Sequence, residues 1–162
     1  MQIFRISITL MAVTLAISAH AQSQTPWPDF MPRLVHAPAD SPVAAKMPDD
    51  VAISVPDTSL PAEKAAWSGR WSGFACQRRA CDIGLAVEKV DQSGASIVYA
   101  FGQRGGAVAE RLEAKFENGE LRGILKNGYT VAYRMRSTGE IEMYQQSADK
   151  KDWSAGIMRK AK

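Results

Sequence analysis

Residues 127 to 139, NGYTVAYRMRSTG, contain the clearest alternation of apolar and polar residues in the chain. Four large side chains share one face of an extended segment, namely Tyr129, Val131, Tyr133 and Met135. Asn-Gly before the segment and Ser-Thr-Gly after it are turn sequences, and Asn-Gly is the strongest short hairpin signal. This stretch therefore predicts a β-strand with one buried face, joined to both neighbours by tight turns.

The same two-residue period recurs on both sides of this stretch. It predicts eight strands, which span residues 67–75, 82–90, 95–102, 110–117, 120–126, 129–136, 140–148 and 153–160. The apolar alternation of the last two strands consists of Ile141, Met143, Trp153, Ala155 and Ile157. Short connections make all sequence neighbours antiparallel, and closure removes the exposed edges of an open sheet. The predicted fold is therefore all-β, an eight-stranded antiparallel up-and-down barrel.

Proline and glycine occupy separate parts of the chain. All eight prolines lie between Pro26 and Pro61, and all twelve glycines lie between Gly69 and Gly156. Proline stiffens an extended chain and removes a backbone donor, whereas glycine permits the corners and bulges of a tightly turning sheet. We therefore expect residues 22–62 to form a mostly disordered, proline-rich tether, and residues 63–162 to form the barrel domain, with one helical turn after Pro61.

The tether contains one apolar group, formed by Trp27, Phe30 and Met31. Two interpretations stay open. These residues are either incidental apolar side chains in a linker or a short docking motif.

Residues 1–21 have the composition of a cleaved secretory signal peptide. Arg5 supplies a positive charge, residues 6–17 form an apolar run, and Ala19 and Ala21 are the small residues that cleavage requires. The run is too short to cross a bilayer, and no later stretch is suitable, so we expect no transmembrane segment after cleavage. The expected product starts at Gln22 and is periplasmic or secreted.

The charge balance argues against nucleic acid as a partner. Removing Arg5 with the signal leaves 19 basic residues against 17 acidic ones, a net charge of +2. A dedicated nucleic-acid binder usually has a much larger single-sign excess.

Cys76 and Cys81 are the only cysteines. Because the expected compartment is oxidising, we predict a disulfide between them across the first hairpin. Closing so short a loop would contribute roughly 2 kcal/mol on the chain-entropy model. The alternative is a redox pair, but four residues separate the cysteines where thioredoxin-type motifs have two.

A disulfide between directly opposed cysteines would set the register of the first hairpin. Phe74 would then face Ile83, and both Trp67 and Trp71 would point away from the core. A one-residue bulge at Gly69 or Gly73 would return the two tryptophans to the interior, and we expect such a bulge.

The barrel domain is poor in catalytic groups. His20 lies in the signal and His36 in the tether, so the domain has no histidine, and the disulfide would remove its thiols. Carboxylates fall at predicted turns, where a solvated surface is the ordinary interpretation; these are Asp91, Glu117, Glu120 and Glu140. We therefore expect no enzyme activity, no metal site and no cofactor.

Alternate loops of an eight-stranded meander lie at the same end of the barrel. Six basic residues fall in the loops of one end and are called here the basic rim: Arg78, Arg79, Arg104, Lys126, Lys150 and Lys151. The four turn carboxylates collect at the opposite end. The basic rim could bind an anionic ligand, polymer or protein of the envelope. The alternative is ordinary surface charge, since Asp149 and Asp152 lie in the same loops.

Four segments resemble a small bacterial exported domain of lipocalin-like type, which also occurs attached to α/β-hydrolases. They are WSGRWSG at 67–73, LAVEKV at 85–90, ASIVYAFG at 95–102 and GYTVAYR at 128–134. The resemblance covers residues 60 to 160 approximately and implies a barrel without catalytic residues of its own.

SGRW at 68–71 and CDIGL at 81–85 are similar to the periplasmic metalloprotease-inhibitor family. That family implies an eight-stranded barrel with one disulfide and a free amino-terminal arm that enters the protease. This chain departs from the family in two ways. The family joins the cysteine of its second strand to one further along the chain, whereas here the expected partner of Cys81 is Cys76, which precedes it. The arm of this chain is also a long proline-rich tether. The expected functions are therefore a non-catalytic binding module, a protease inhibitor, or an accessory domain to a separate hydrolase.

Overall fold

The computed structural model describes residues 44–76, 80–103 and 106–161, as one short helix and eight strands. The helix is α1 (Ala62–Ala65), and the strands are β1 (Gly69–Cys76), β2 (Ala80–Val90), β3 (Gly94–Gln103), β4 (Gly106–Glu117), β5 (Glu120–Ile124), β6 (Thr130–Met135), β7 (Ile141–Gln146) and β8 (Trp153–Lys160). The strands pair antiparallel in chain order, and β1 also pairs with β8, which closes the barrel. The predicted barrel is thus confirmed. The predicted signal peptide and residues 22–43 lie outside the described residues.

The helical turn predicted after Pro61 is confirmed as α1, and it closes one end of the barrel. Leu60 and Trp67, on either side of the helix, belong to the central apolar cluster. The Trp67 ring meets Phe116 edge-on with centroids 5.8 Å apart, and its carbonyl accepts a hydrogen bond of 3.0 Å from the Trp71 indole. This end is called the plugged end, and the loops between β2 and β3, β4 and β5, and β6 and β7 surround it.

Side chains from every strand fill the barrel interior. The largest fully buried ones are Tyr99, Tyr133, Ile83, Leu85, Ile97, Leu121, Ile141, Met143, Met158, Val87 and Val98, of which only Val98 lies on the outer face. Tyr99 and Tyr133 meet edge-on near the middle, with centroids 6.3 Å apart. The interior is therefore a packed core, as expected when about a hundred residues form a closed barrel.

The register of the first hairpin differs from the prediction by one residue. Cys81 lies opposite Ala75, and Ile83 lies opposite Gly73, so the cysteines are not direct partners. Trp71 consequently faces Leu85 on the inner side, and both Trp67 and Trp71 are only 3% exposed. Burial of the two tryptophans is confirmed, but the expected bulge is wrong, because pairing is continuous from Gly69 to Cys76. Whether a disulfide forms depends on side chains outside the described residues, so it stays a prediction.

The inner face of β8 is the opposite of the one that its alternation predicts. Met158 and Gly156 lie opposite Ile141 and Met143 on the inner side, which places Trp153, Ala155 and Ile157 outside. Close contact with β1 favours this arrangement. A Cβ atom at Gly156 would lie 2.1 Å from the carbonyl oxygen of Phe74, so only glycine allows the two strands to approach there.

The last part of the predicted tether, residues 44–61, packs on the outside of the barrel. Val51 is buried against Ala86 and Val98, and Met47 contacts the same cluster. Pairing between β2 and β3 shifts by one residue at Glu88, where the Glu88 carbonyl accepts a 2.7 Å hydrogen bond from the Ser54 amide. The expectation of a disordered tether therefore fails for this part, because apolar contacts and hydrogen bonds attach it to β2 and β3.

Candidate functional site

Chain-order pairing places four loops at the end opposite the plug, which is called the open end. These loops join β1 to β2, β3 to β4, β5 to β6 and β7 to β8, as the meander predicts. Lys126, Lys150 and Lys151 of the basic rim lie in two of them and are exposed. Arg78, Arg79 and Arg104 lie outside the described residues, so their place on the basic rim stays a prediction.

Lys150 is at the tip of a tightly bonded loop between β7 and β8. The Ser147 hydroxyl donates 2.7 Å to the Asp149 carboxylate and accepts 3.0 Å from the Asp152 amide. The Ser147 amide donates 2.8 Å to the Asp152 carbonyl. Lys150 has a φ of 62°, in the left-handed region that favours glycine or asparagine. The loop therefore holds a strained lysine at its outermost position instead of the residue that would cost least.

The acidic residues of this loop compensate only part of its charge. The Lys151 ammonium lies 3.6 Å from the Asp149 carboxylate, and hydrogen bonds from Ser147 hold the pKa of Asp149 below its usual value. Within the part of the chain that is described, neither Lys126 nor Lys150 forms an ion pair within 4.0 Å. Two of the three described rim lysines are therefore available to an external anion.

Lys126 is positioned by a contact between its backbone and β4. Its amide donates a 2.5 Å hydrogen bond to the Glu110 carboxylate. Strands β4 and β5 pair only from Lys115 to Glu117, so this bond connects them where their regular pairing has ended. The Lys126 side chain remains exposed above this contact.

Three of the four turn carboxylates at the plugged end have partners within the protein, and the exposed Glu117 forms no ion pair in the described ranges. Glu120 meets Arg122 at 2.5 Å, and Glu140 lies 3.0 Å from Arg136 and 2.9 Å from Arg159. The Arg159 hydrogen bond, followed by that of the Thr138 hydroxyl, holds the pKa of Glu140 below its ordinary value against the opposing effect of burial. Asp91 instead accepts bonds of 2.7 Å from the amide and hydroxyl of Ser93, and these hydrogen bonds lower its pKa.

Two buried polar atoms lack a hydrogen-bond partner among the described residues. They are the Tyr133 hydroxyl, which is fully buried, and the Oε1 atom of Gln145. Burial, followed by the charges of Tyr99 and Glu110, raises the pKa of Tyr133 well above its ordinary value, which keeps the hydroxyl neutral.

Two other features are absent from the described residues. No group of three histidine, cysteine, aspartate or glutamate side chains in residues 44–76, 80–103 and 106–161 is arranged to hold a metal ion. Over the same ranges, no helix is long and apolar enough to span a membrane.

No protein-family model, curated protein or solved structure matches this chain. The similarity to lipocalin-like domains and to the protease-inhibitor family therefore stays a resemblance of short segments.

One surface was missed by sequence reasoning. Apolar side chains cover the outer faces of β8 and its neighbours, where alternation had suggested a single buried face. The signal was present, because β8 has apolar residues in both alternating sets: Trp153, Ala155 and Ile157 in one, Gly156 and Met158 in the other. Such a strand packs on both sides.

Proposed function

We propose that this protein is a non-catalytic, exported binding module whose basic rim engages an anionic partner of the bacterial envelope. The observation that supports this proposal best is the contrast between the lysines of the open end and the carboxylates of the plugged end. The ammonium groups of Lys126 and Lys150 form no ion pair in the described part of the chain, whereas Glu120 and Glu140 are paired with arginines. Exposed charges of one sign attract a complementary surface and steer its approach.

The packed interior favours contact at the rim over binding within the barrel. Trp71, Tyr99 and Tyr133 are at most 3% exposed, and aliphatic side chains fill the space around them. A deep ligand would have to displace this core, which would cost most of the stability that its packing supplies. A partner that binds at the rim leaves the core unchanged.

The proposal is tested by capture from envelope extract on the immobilised mature chain. The rim variant changes Arg78, Arg79 and Arg104 to serine, and the control variant changes Lys46, Lys89 and Lys115 to serine. The control residues are exposed and lie away from the open end, and both variants lose three positive charges. We expect one bound species that is retained by the control variant, lost from the rim variant and released by salt, since screening weakens exposed charges.

Equal capture by both variants would disprove a role for the three rim arginines, and equal capture by a further variant with Lys126, Lys150 and Lys151 changed to serine would disprove a role for the basic rim. Loss from both variants to the same extent would mean that net charge alone holds the partner, and it would equally contradict the proposal. Circular dichroism of each variant establishes that the barrel is intact.

A further inference from the structure

Six residues form an apolar surface on the outside of β1, β6, β7 and β8, and it is called the outer apolar patch: Phe74, Ala132, Tyr144, Trp153, Ala155 and Ile157. Their partners in the strand register place them on the outer face. Tyr144 lies opposite Ala132 and Ala155, whereas Met143, the next residue, faces the core. The rings of Tyr144 and Trp153 lie 6.4 Å apart.

Four of the six residues of the outer apolar patch are nevertheless buried, and Phe74 and Trp153 are half-buried. Tyr144 is 6% exposed, Ile157 7% and Ala155 0%, although all three point away from the interior. Neither of the apolar clusters formed by the described residues includes any of the three. The Trp153 ring flanks Tyr144 on one side, and burial of this extent on an outward face indicates a further layer across the strand.

Strands β2 and β3 show what such a cover looks like in this molecule. Their outward residues Ala86 and Val98 are 0% and 1% exposed, because Val51 and Met47 lie across them. The carboxyl-terminal part of the tether is therefore already an outer layer of the barrel. The outer apolar patch has the same burial on the opposite side of β1.

The preceding part of the tether has both the reach and the side chains to form the second cover. It enters the described structure at Ala44, close to Met47, whose methyl group approaches Gly84 on the outer face of β2. The patch begins one strand away, on β1, and adjacent strands lie only ~5 Å apart. Residues 22–43 could span up to ~70 Å when extended. They include Trp27 and Phe30, and aromatic side chains bury roughly 150–250 Å² each.

We propose that Trp27, Phe30 and Met31 dock on the outer apolar patch, so that the proline-rich segment wraps the barrel from β7 to β3. Prolines at positions 26, 28 and 32 suit this role. They limit the conformations of the free segment and thus reduce the entropy that docking removes. This proposal does not depend on the basic rim.

Hydroxyl-radical footprinting of the mature chain tests the docking. The Trp27→Ala, Phe30→Ala variant should show a several-fold rise in labelling of Tyr144, with Tyr99 and Tyr133 unchanged as interior references. The matched control, Leu34→Ala with Val35→Ala, removes apolar atoms from the same segment and should leave Tyr144 protected. Equal protection of Tyr144 in both variants would overturn the proposal.

A second measurement identifies the occupant directly. Benzophenone-alanine in place of Phe30 should cross-link within one chain to the peptide that contains Tyr144 or to the one that contains Trp153. Cross-links between chains, or protection of Tyr144 that decreases on dilution, would show that a second copy covers the patch and would contradict docking of the tether. Cross-links only to other strands would contradict it as well.

Discussion

The two ends of the barrel differ in how their charged side chains are partnered. At the plugged end, Glu120 and Glu140 meet arginines at 2.5 to 3.0 Å, beside a helix and a buried tryptophan. At the open end, Lys126 and Lys150 are exposed without a carboxylate partner in the described ranges. The difference indicates that the plugged end contributes to stability, whereas the open end presents charge to the surroundings.

Backbone conformation supports the same division. Asn118 at the plugged end has a φ of 52°, which asparagine adopts easily in an Asn-Gly turn. Lys150 at the open end has nearly the same φ, but lysine is rarely found there. The plugged end therefore has an asparagine that suits its turn, whereas the open end has a charged lysine at a conformational cost.

The largest effect on stability should come from removing the buried Trp67 side chain at the plugged end. Trp67→Ala removes a side chain that is 3% exposed and contacts Phe116, and we expect a loss of about 3–5 kcal/mol in the free energy of unfolding. Lys126→Ala, at the open end, should change it by less than about 0.5 kcal/mol. Denaturant unfolding of both variants measures the difference. A similar, small loss in both would show that the plug is not part of the cooperative core.

A smaller effect should come from the paired carboxylate of the plugged end. Glu140→Gln should lower stability at neutral pH by roughly 1 kcal/mol, because Arg136 and Arg159 lose their charged acceptor. Since the pKa of Glu140 is lower when folded, its contribution is present above the ordinary glutamate pKa and is lost as the pH falls through the folded value.

The stability difference between wild type and Glu140→Gln should therefore shrink when the pH is lowered from 7 to about 3. Glu117→Gln is the matched control, since Glu117 is exposed and forms no ion pair in the described part of the chain. Thermal unfolding across this pH range measures both. A difference that stays constant with pH would contradict the role of the Glu140 charge.

The smallest effect, of opposite sign, should appear at the tip of the open end. Lys150→Gly relieves a left-handed backbone conformation, and we expect a gain of about 0.5 kcal/mol, whereas Asn118→Gly should be close to neutral. The same Lys150→Gly variant should bind an anionic partner more weakly. A loss of stability on Lys150→Gly would mean that the lysine side chain stabilises its loop. It would contradict the view that the open end keeps this lysine at a conformational cost.

Most of the fold could be predicted because it depends on short-range patterns. The turn sequences Asn118-Gly119 and Asn127-Gly128 occur where hairpins form, and the predicted strands overlap all eight observed ones. Chain order alone places the loops of Lys126, Lys150 and Lys151 at one end of the barrel, whereas the role of the basic rim in binding stays a prediction. The absence of an ion-pair partner for Lys126 and Lys150 within the described ranges could not be predicted, because it depends on which carboxylates the fold brings near them.

Besides the tether, the two errors within the strands concern which face is buried. The prediction for β1 assumed that Cys76 opposes Cys81, but a shift of one residue moves Trp71 to the core. In β8 both alternating sets are apolar, so a period of two cannot select the inner face. Packing decides it, since Gly73 and Gly156 allow β1 and β8 to approach each other closely.

By itself, the sequence determined the number of strands, the turns between them and the separation of proline from glycine, because backbone preferences act over a few residues. Tertiary structure alone decided the register of β1, the outward face of β8, the packing of residues 44–61 on the barrel, and the pairing of Glu140 with Arg159. Each of these depends on contacts between segments far apart in the chain. Their outcome is set by which arrangement buries the most apolar surface without isolating a polar group.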